Sequence, residues 1–278
     1  MKKACVIGFP ISHSRSPLIH NYWLKRLGIA GLYEKREVRP EQLAHFLSHL
    51  REEGYEGCNV TIPHKEAALR LIPNLDAVVR KTGSLNTVYF DGGKLSATST
   101  DGEGFYQNLL SAYPRFDAKA QKAIILGAGG SARAIIERLL RAGMAEIAIV
   151  NRTVARAEEL AGLFGPAVRS VDPDHFDSES KTATLLVNTT SQGMAGQPGP
   201  DVELSSLPSS AIVADIVYVP LKTELLRRAE ARGLATLGGL GMLLHQAVVG
   251  FEKWFGQKPA VTEELYRLVA RDVDPEFR

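Results

Sequence analysis

The feature that most constrains how this chain can fold is a glycine-rich turn between a short apolar segment and a helical pattern. Residues 122–126 form an apolar run typical of a buried strand, and Gly127-Ala-Gly-Gly-Ser-Ala132 follows directly, before helical periodicity begins. A G-x-G-x-x-A turn in this context is typical of dinucleotide-binding proteins. Gly127 would permit the turn, Gly129 would let the backbone approach a pyrophosphate, and Ala132 would allow close packing of helix on strand. The alternative is a glycine-rich turn without a ligand.

The end of the next predicted strand indicates which dinucleotide binds. Residues 146–150 are followed by Asn151-Arg152-Thr153, and Arg156 comes one helical turn later. An NAD site usually has an acidic residue here, which would repel a 2′-phosphate, whereas arginine binds phosphate with two hydrogen bonds. The two arginines therefore favour NADP as the cofactor. The alternative is that both are solvated residues at the start of a helix.

Short apolar runs alternate with helical patterns along most of the 278 residues, which predicts an α/β protein with parallel strands. The predicted strands are 4–9, 33–38, 57–62, 85–90, 95–100, 122–126, 146–150, 167–171, 185–188 and 212–215. The predicted helices are 17–27, 40–53, 65–72, 104–112, 130–142, 154–164, 221–231 and 240–255. The pattern divides near Asp101 into two series, and residues 192–208, rich in Gly, Pro and Ser, predict a long surface loop.

Composition excludes several functional classes. The chain has 33 Lys and Arg against 31 Asp and Glu, a net charge of +2, so no large field favours nucleic acid or an anionic membrane. Cys5 and Cys58 both lie in apolar runs and suit neither a disulfide framework nor a zinc site. No apolar stretch is long enough for a membrane span. We expect a cytoplasmic protein without a metal ion.

Polar residues follow several predicted strands of the first series. Three serines lie within residues 12–16, Lys65 lies just beyond a strand end, and Asn86 and Asp101 lie in polar breaks. The simpler interpretations are that Ser16 and Asp101 cap helices, that Asn86 forms a turn and that Lys65 is a surface residue. Polar groups at the carboxyl ends of parallel strands would instead converge on one crevice. Hydroxyl and amide groups with a Lys–Asp pair suit hydride transfer at a hydroxyl-bearing carbon of a small ligand.

The motifs together resemble the shikimate dehydrogenase family, and the resemblance covers essentially the whole chain. They are Ser12-His-Ser-Arg-Ser-Pro17, Asn59-Val-Thr-Ile-Pro-His-Lys65, Leu85-Asn-Thr87, Ser99-Thr-Asp-Gly-Glu-Gly104, Gly127-Ala-Gly-Gly-Ser131, Asn151-Arg-Thr-Val-Ala-Arg156, Asn188-Thr-Thr-Ser191, Asp215-Ile-Val-Tyr218 and Gly239-Leu-Gly-Met-Leu-Leu-His-Gln246. The resemblance implies reduction of 3-dehydroshikimate to shikimate with NADPH, on the route to chorismate and aromatic amino acids. It implies an α/β catalytic domain with a parallel-rich sheet, residues 1–101 and 240–278. A Rossmann NADP-binding domain, 102–239, would lie beyond a cleft that holds the active site.

The resemblance also implies a role for individual residues. Lys65 would be the catalytic acid and base, with Asp101 as its partner. The substrate would be bound by Ser14, Ser16, Thr61, Asn86, Tyr218 and Gln246. The cofactor would be bound by Gly127, Ala128, Gly129, Gly130 and Ser131 at the pyrophosphate, by Asn151, Arg152, Thr153 and Arg156 at the 2′-phosphate, and by Ile216 and Gly239 near the nicotinamide. Three positions depart from the family: Ser99 stands where Asn is common, His64 where Phe is common, and Ala77 where some members have an acidic residue.

Three alternatives remain open. A quinate or quinate/shikimate dehydrogenase would share the fold and could accept NAD. A non-catalytic NADP-binding regulatory protein would need neither Lys65 nor Asp101. A folate-linked dehydrogenase of related architecture would lack the paired serines. We expect a monomer or homodimer whose partner is a small-molecule substrate, without nucleic acid or membrane.

Overall fold

The computed structural model describes residues 1–277, and the chain divides into two compact units. The first unit comprises Met1–Asp101 and Leu244–Val269, and the second comprises Gly102–Leu243 with the residues that follow Val269. Each unit is built on its own six-stranded sheet.

The sheet of the first unit is mixed. Its strands, in the spatial order β2-β1-β3-β5-β6-β4, are β1 (Lys2–Gly8), β2 (Gly31–Glu37), β3 (Tyr55–Val60), β4 (Asn74–Leu75), β5 (Thr87–Asp91) and β6 (Lys94–Thr98). Strand β1 pairs in parallel with β2 and β3, whereas β5 runs antiparallel to both β3 and β6. The predicted parallel-rich sheet is confirmed, and β5 is its antiparallel strand. A two-residue Gly92-Gly93 turn with positive φ angles joins β5 to β6, and such a turn connects antiparallel neighbours.

The helices that begin before residue 101 are α1 (Ser16–Arg26), α2 (Leu43–His49), α3 (Lys65–Leu71) and α4 (Ala77–Thr82). Helix α2 is shorter than predicted because Pro40–Gln42 forms a separate 3-10 turn. Strand β4 and helix α4 were not predicted, because both are too short for a clear periodicity. Helix α4 begins where the Asp76 side chain accepts a hydrogen bond from Val79 N at 2.9 Å.

The core of the first unit includes an aromatic cluster to which the C-terminal segment contributes. Helix α10 (Leu240–Phe255) supplies Phe251 and Trp254, which pack against His20 and Tyr33. Trp254 Nε1 donates to the carbonyl of Val88 in β5 at 2.9 Å. Residues far apart in sequence therefore complete one core.

The second unit contains a parallel sheet. Its strands, in the order β12-β11-β10-β7-β8-β9, are β7 (Lys122–Leu126), β8 (Glu146–Val150), β9 (Val168–Val171), β10 (Leu185–Asn188), β11 (Ile212–Asp215) and β12 (Ala235–Leu237). Counted from its own first strand and read from β9, the order is 3-2-1-4-5-6, which is the Rossmann order. All five strand pairings are parallel, as predicted for this series. Only β12, of three residues, was not predicted.

The remaining helices are α5 (Asp101–Ala112), α6 (Gly130–Arg141), α7 (Val154–Phe164), α8 (Phe176–Ser180), α9 (Glu224–Ala231) and α11 (Glu263–Val273). A 3-10 turn, Pro173–His175, precedes α8. Neither α8 nor α11 was predicted. Residues 192–208 contain no helix or strand, as predicted for a long loop. Within residues 1–277, no helix combines the length and the apolar character that crossing a membrane requires.

Candidate functional site

A lysine and a carboxylate from different elements meet in the first unit. Lys65 is the first residue of α3, and Asp101 follows β6. Lys65 Nζ lies 3.2 Å from Asp101 Oδ2, and the side chains are 33% and 12% exposed. The ammonium therefore has a hydrogen-bonded counter-ion and remains open to solvent or a ligand.

Asn86 supports the second oxygen of that carboxylate. Asn86 immediately precedes β5. Because β5 runs antiparallel to β3 and β6, the amino end of β5 lies beside the carboxyl ends of those two strands. Asn86 Nδ2 donates to Asp101 Oδ1 at 2.7 Å and to Gln246 Oε1 at 3.3 Å. Four predicted site residues thus belong to one group: Lys65, Asn86, Asp101 and Gln246.

The other predicted substrate residues of this unit lie on two loops. Ser14 Oγ donates to Ser16 Oγ at 3.3 Å. Ser16 does not cap α1: it is the first residue of the helix, and Arg15 precedes it without a side-chain cap bond. The Thr61 amide donates to Ile7 O at 3.0 Å, while its hydroxyl has no hydrogen-bond partner among residues 1–277. These hydroxyls can serve a polar ligand.

The strand before Lys65 is shorter than predicted. It ends at Val60, and Ile62, the last residue of the predicted strand, is 75% exposed. Pro63 follows Ile62 and has no N–H to extend the ladder. Residues 61–64 therefore form a turn that leads directly to Lys65.

Two of the departures from the family, at His64 and Ser99, have different outcomes. His64 is buried, and its Nε2 lies 2.7 Å from the Val38 carbonyl, which can only accept. His64 therefore donates to the main chain through that nitrogen. The buried hydroxyl of Ser99 has no partner among the described residues. It gives Asp101 no support, which comes instead from Asn86 and Lys65.

The glycine-rich turn of the second unit has the geometry that an anion site requires. Gly127 has φ +104°, and a Cβ there would lie 2.9 Å from Thr189 Oγ1. Gly129 precedes α6 as its N-cap and offers no side-chain hydrogen bond, no acidic residue lies in the first turn, and nothing lies within 4 Å of a Cβ placed on Gly129. An uncapped helix start with free space beside it suits a pyrophosphate. Ala128 lies in the same turn, and Gly130 and Ser131 are the first two residues of α6.

The residues predicted to recognise a 2′-phosphate follow β8. Asn151 Nδ2 donates to Thr153 O at 2.8 Å, which closes the turn before α7. Arg152 and Arg156 are exposed, and neither has an ion-pair partner within residues 1–277. Two unpaired guanidiniums near a helix start fit an anionic ligand better than a solvated surface, because the helix dipole disfavours cations there.

The remaining predicted residues of this unit lie beyond β11. A Cβ on Gly239 would lie 2.2 Å from Ile216 O, so the two predicted nicotinamide-contacting residues are in direct contact. Tyr218 belongs to the same loop and is half-buried. Asp215 at the end of β11 accepts hydrogen bonds from Thr223 Oγ1, Asn188 Nδ2 and the Val217 amide. Burial raises the pKa of Asp215 to about 6, although these hydrogen bonds lower it.

Three threonines that were not predicted as site residues form hydrogen bonds in these sites, two of them to Asn86 and one beside the glycine-rich turn. Thr100 donates its amide N–H to Asn86 Oδ1 at 3.0 Å, and Thr87 Oγ1 donates to the same oxygen at 3.0 Å. Thr189 Oγ1 donates to Leu126 O at 2.7 Å beside the glycine-rich turn. Each of them directly adjoins a predicted site residue or a quoted motif, but only the fold shows its partner. Among the described residues no cluster of His, Cys, Asp and Glu is suited to a metal ion.

Known proteins match this architecture along the whole chain. Three family descriptions match in order: the shikimate dehydrogenase substrate binding domain at residues 6–88, shikimate/quinate 5-dehydrogenase at 111–194 and the shikimate 5′-dehydrogenase C-terminal domain at 239–263. Shikimate dehydrogenase (NADP(+)) of Rhodopseudomonas palustris strain TIE-1 is 52% identical, over 99% of this chain and 98% of that protein.

Solved structures share the fold. Shikimate 5-dehydrogenase from Thermus thermophilus, in complex with NADP(H) and shikimate, has a TM-score of 0.86 and 34% identity, covering 98% of this chain and 100% of that one. Quinate dehydrogenase from Corynebacterium glutamicum, in complex with NAD, has a TM-score of 0.87 and 29% identity, covering 97% and 99%.

Proposed function

Because the chain belongs to the shikimate dehydrogenase family, we propose that it catalyses the reversible NADPH-dependent reduction of 3-dehydroshikimate to shikimate. This reaction lies on the route to chorismate and the aromatic amino acids. The observation that carries the proposal is the 3.2 Å contact between Lys65 Nζ and Asp101 Oδ2 in a site with hydroxyl and amide groups.

NADPH, when bound, supplies the hydride for the C3 carbonyl carbon. The Lys65 ammonium donates a proton to the carbonyl oxygen as charge develops there. Asp101 accepts from Lys65 through one oxygen and from Asn86 through the other, so the lysine nitrogen has a fixed position. The amine that remains is reprotonated from solvent, which the one-third exposed side chain can reach.

In the oxidative direction the Lys65 amine takes the proton from the C3 hydroxyl. Each turnover then releases one proton, so oxidation of shikimate becomes more favourable as the pH rises. Ser14, Ser16 and Thr61 offer hydroxyl groups to the ring substituents and the carboxylate. Tyr218 and Gln246 complete the proposed set of substrate-binding residues.

The residues of the second unit support NADP as the cofactor. Gly127, Ala128, Gly129, Gly130 and Ser131 would hold the pyrophosphate against the uncapped start of α6. Asn151, Arg152, Thr153 and Arg156 would hold the 2′-phosphate, and Ile216 with Gly239 would adjoin the nicotinamide. A monomer or homodimer in a reducing cytoplasm remains our prediction, in keeping with the free, buried Cys5 and Cys58.

The test is shikimate-dependent formation of NADPH, followed by absorbance. We expect the wild-type chain to be active, and Lys65→Ala to lower kcat by about 10²–10⁴-fold, the usual contribution of a positioned acid or base. Shikimate KM should change much less, because the lost interaction strengthens in the transition state. An unchanged kcat in Lys65→Ala would exclude the acid–base role.

Parallel assays separate the alternatives. Faster turnover of quinate with NAD would identify a quinate dehydrogenase. Tight NADP binding without turnover of either substrate would identify a regulatory protein.

A further inference from the structure

We infer that Tyr33, Asn59 and Thr87 are positioning residues, which form a buried hydrogen-bonded chain beneath the substrate site. This series of hydrogen bonds links Ser16 at one end to Asn86 and Asp101 at the other. The inference rests on the proposed function. Tyr33 is 1% exposed, Asn59 7% and Thr87 0%, so they act on a ligand through their neighbours.

The direction of the chain is fixed first at Asn59. Its Nδ2 lies 3.1 Å from the main-chain carbonyl of Asn86, and a carbonyl can only accept. The amide nitrogen must therefore face Asn86, and Asn59 Oδ1 faces Tyr33. The Tyr33 hydroxyl, 2.6 Å from that oxygen, must donate to it.

The orientation of Ser16 follows from that of Tyr33. Burial keeps the pKa of Tyr33 well above its ordinary value, so the phenol keeps its proton. Since this proton is given to Asn59, the phenol oxygen can only accept, and the Ser16 hydroxyl donates to it. Ser16 Oγ in turn accepts from Ser14 Oγ at 3.3 Å. Tyr33 thereby fixes the side chain of a predicted substrate-binding serine.

Thr87 carries the chain to Asn86. Its Oγ1 accepts from Asn59 Nδ2 at 3.1 Å, so its own proton goes to Asn86 Oδ1 at 3.0 Å. The Thr100 amide, which can only donate, binds the same oxygen at 3.0 Å. The nitrogen of the Asn86 amide must therefore face Asp101 Oδ1, 2.7 Å away.

Two main-chain groups thus fix both amides, and the side-chain donors of Ser14, Ser16, Tyr33, Asn59, Thr87 and Asn86 follow one another toward Asp101. Removal of one member leaves a buried polar atom without its partner and frees the neighbouring side chains to reorient. Loss of the Tyr33 hydroxyl should weaken substrate binding, because its partner is Ser16. Loss of the Thr87 hydroxyl should slow turnover, because its partner Asn86 orients the carboxylate beside Lys65.

The experiment measures shikimate kinetics in conservative variants. Tyr33→Phe should raise shikimate KM about fivefold and leave kcat within about twofold, the size expected for one lost hydrogen bond. Thr87→Val should lower kcat about fivefold, and Thr87→Ser, which keeps the hydroxyl, should restore it. The matched control is Tyr55→Phe, because the buried Tyr55 hydroxyl donates to Glu34 of the same sheet at the opposite end of β3. It should leave both constants unchanged.

The double variant Tyr33→Phe/Thr87→Val tests both ends together. Because Tyr33 acts through Ser16 and Thr87 through Asn86, the double variant should show the raised KM and the lowered kcat together, each at about its single size. A wild-type KM in Tyr33→Phe, or a wild-type kcat in Thr87→Val, would overturn the inference. If Thr87→Val does not fold, Thr87→Ala completes the cycle. A wild-type chain without shikimate-dependent activity would instead refute the proposed function.

Discussion

Asp101 illustrates how a residue acquires its role from its partners. A helix cap would explain its position in the sequence, yet its two oxygens accept from Lys65 and Asn86. Both donors come from other elements, so no local pattern could reveal them.

A prediction at the residue scale concerns the two exposed arginines after β8. Replacing Arg152 and Arg156 together with Ala should raise the Kd for NADP by about 100-fold or more, because charge-assisted hydrogen bonds to phosphate contribute about 1.5–3 kcal/mol each. The Kd for NAD should change little, since NAD lacks the 2′-phosphate. Calorimetric titration with both dinucleotides measures the two constants. Equal losses for NADP and NAD would contradict 2′-phosphate recognition.

A second residue-scale prediction concerns His20, whose ring stacks on Tyr33 at 4.0 Å between centroids. Burial lowers its pKa from 6.5 to about 3. The unfolded chain therefore binds a proton at this residue below pH 6.5 while the folded chain does not. Stability should fall as the pH drops below 6.5, by about 1.4 kcal/mol per pH unit from this group. Urea unfolding between pH 7.5 and 5 measures the slope.

The variant His20→Phe removes this component of the slope and keeps an aromatic ring in the cluster. His245, whose pKa burial also lowers, acts in the same direction in both proteins, so the difference between them isolates His20. Replacing the exposed His13 with Gln should leave the slope unchanged. Parallel slopes in wild type and His20→Phe would show that the ring is not the source.

At the scale of elements, the close approach of α5 and α6 depends on a glycine. A Cβ on Gly102 would lie 2.2 Å from Ala134 O and 3.0 Å from Arg138 Cβ. Arg138 Nε also donates to Glu103 Oε2 at 2.6 Å, so the two helices are joined on the same face. Burial raises the pKa of Glu103. The hydrogen bonds from Gln107 and Arg138, with the charges of Arg138 and Arg141, lower it by more, so the pKa lies below its ordinary value.

Gly102→Ala should therefore separate these helices and lower the free energy of unfolding by about 1–3 kcal/mol, as overpacking does. The matched control is Gly162→Ala in α7, where nothing lies within 4 Å of the new Cβ. This control should raise stability by about 0.5–1 kcal/mol, because alanine is the better helix former. Denaturant unfolding measures both. Equal changes of the same sign would contradict the packing explanation.

At the scale of the whole molecule, the first unit is not continuous in sequence. Residues 244–269 belong to it although they follow the second unit along the chain. Phe251 and Trp254 are almost fully buried there, and Trp23 Nε1 donates to Ala260 O at 2.9 Å. The first unit therefore needs the end of the chain for its core.

Phe251→Ala should lower the stability of the first unit by about 3–5 kcal/mol, the usual cost of deleting a buried phenylalanine side chain. Trp23 and Trp254, the two tryptophans of the chain, both lie in this unit, so their fluorescence reports its unfolding in urea. Leu268→Ala, on the partly exposed face of α11, should change stability by less than about 0.5 kcal/mol. A transition in Phe251→Ala at the wild-type urea concentration would contradict this dependence.

The sequence by itself determined the order of strands and helices in the Rossmann unit and identified the candidate site residues. A glycine-rich turn and alternating apolar runs are local patterns, and local steric and hydrophobic constraints are enough to specify a strand, a turn and a helix. Only the tertiary structure decided that β5 is antiparallel, that Asn86 reaches Asp101, and that Tyr33 and Thr87 lie between Ser16 and that carboxylate. Side-chain hydrogen bonds join positions far apart in the sequence, as between Asn86 and Gln246, which are 160 residues apart. The partner in such a bond depends on strand order and register, which no single segment of the chain encodes.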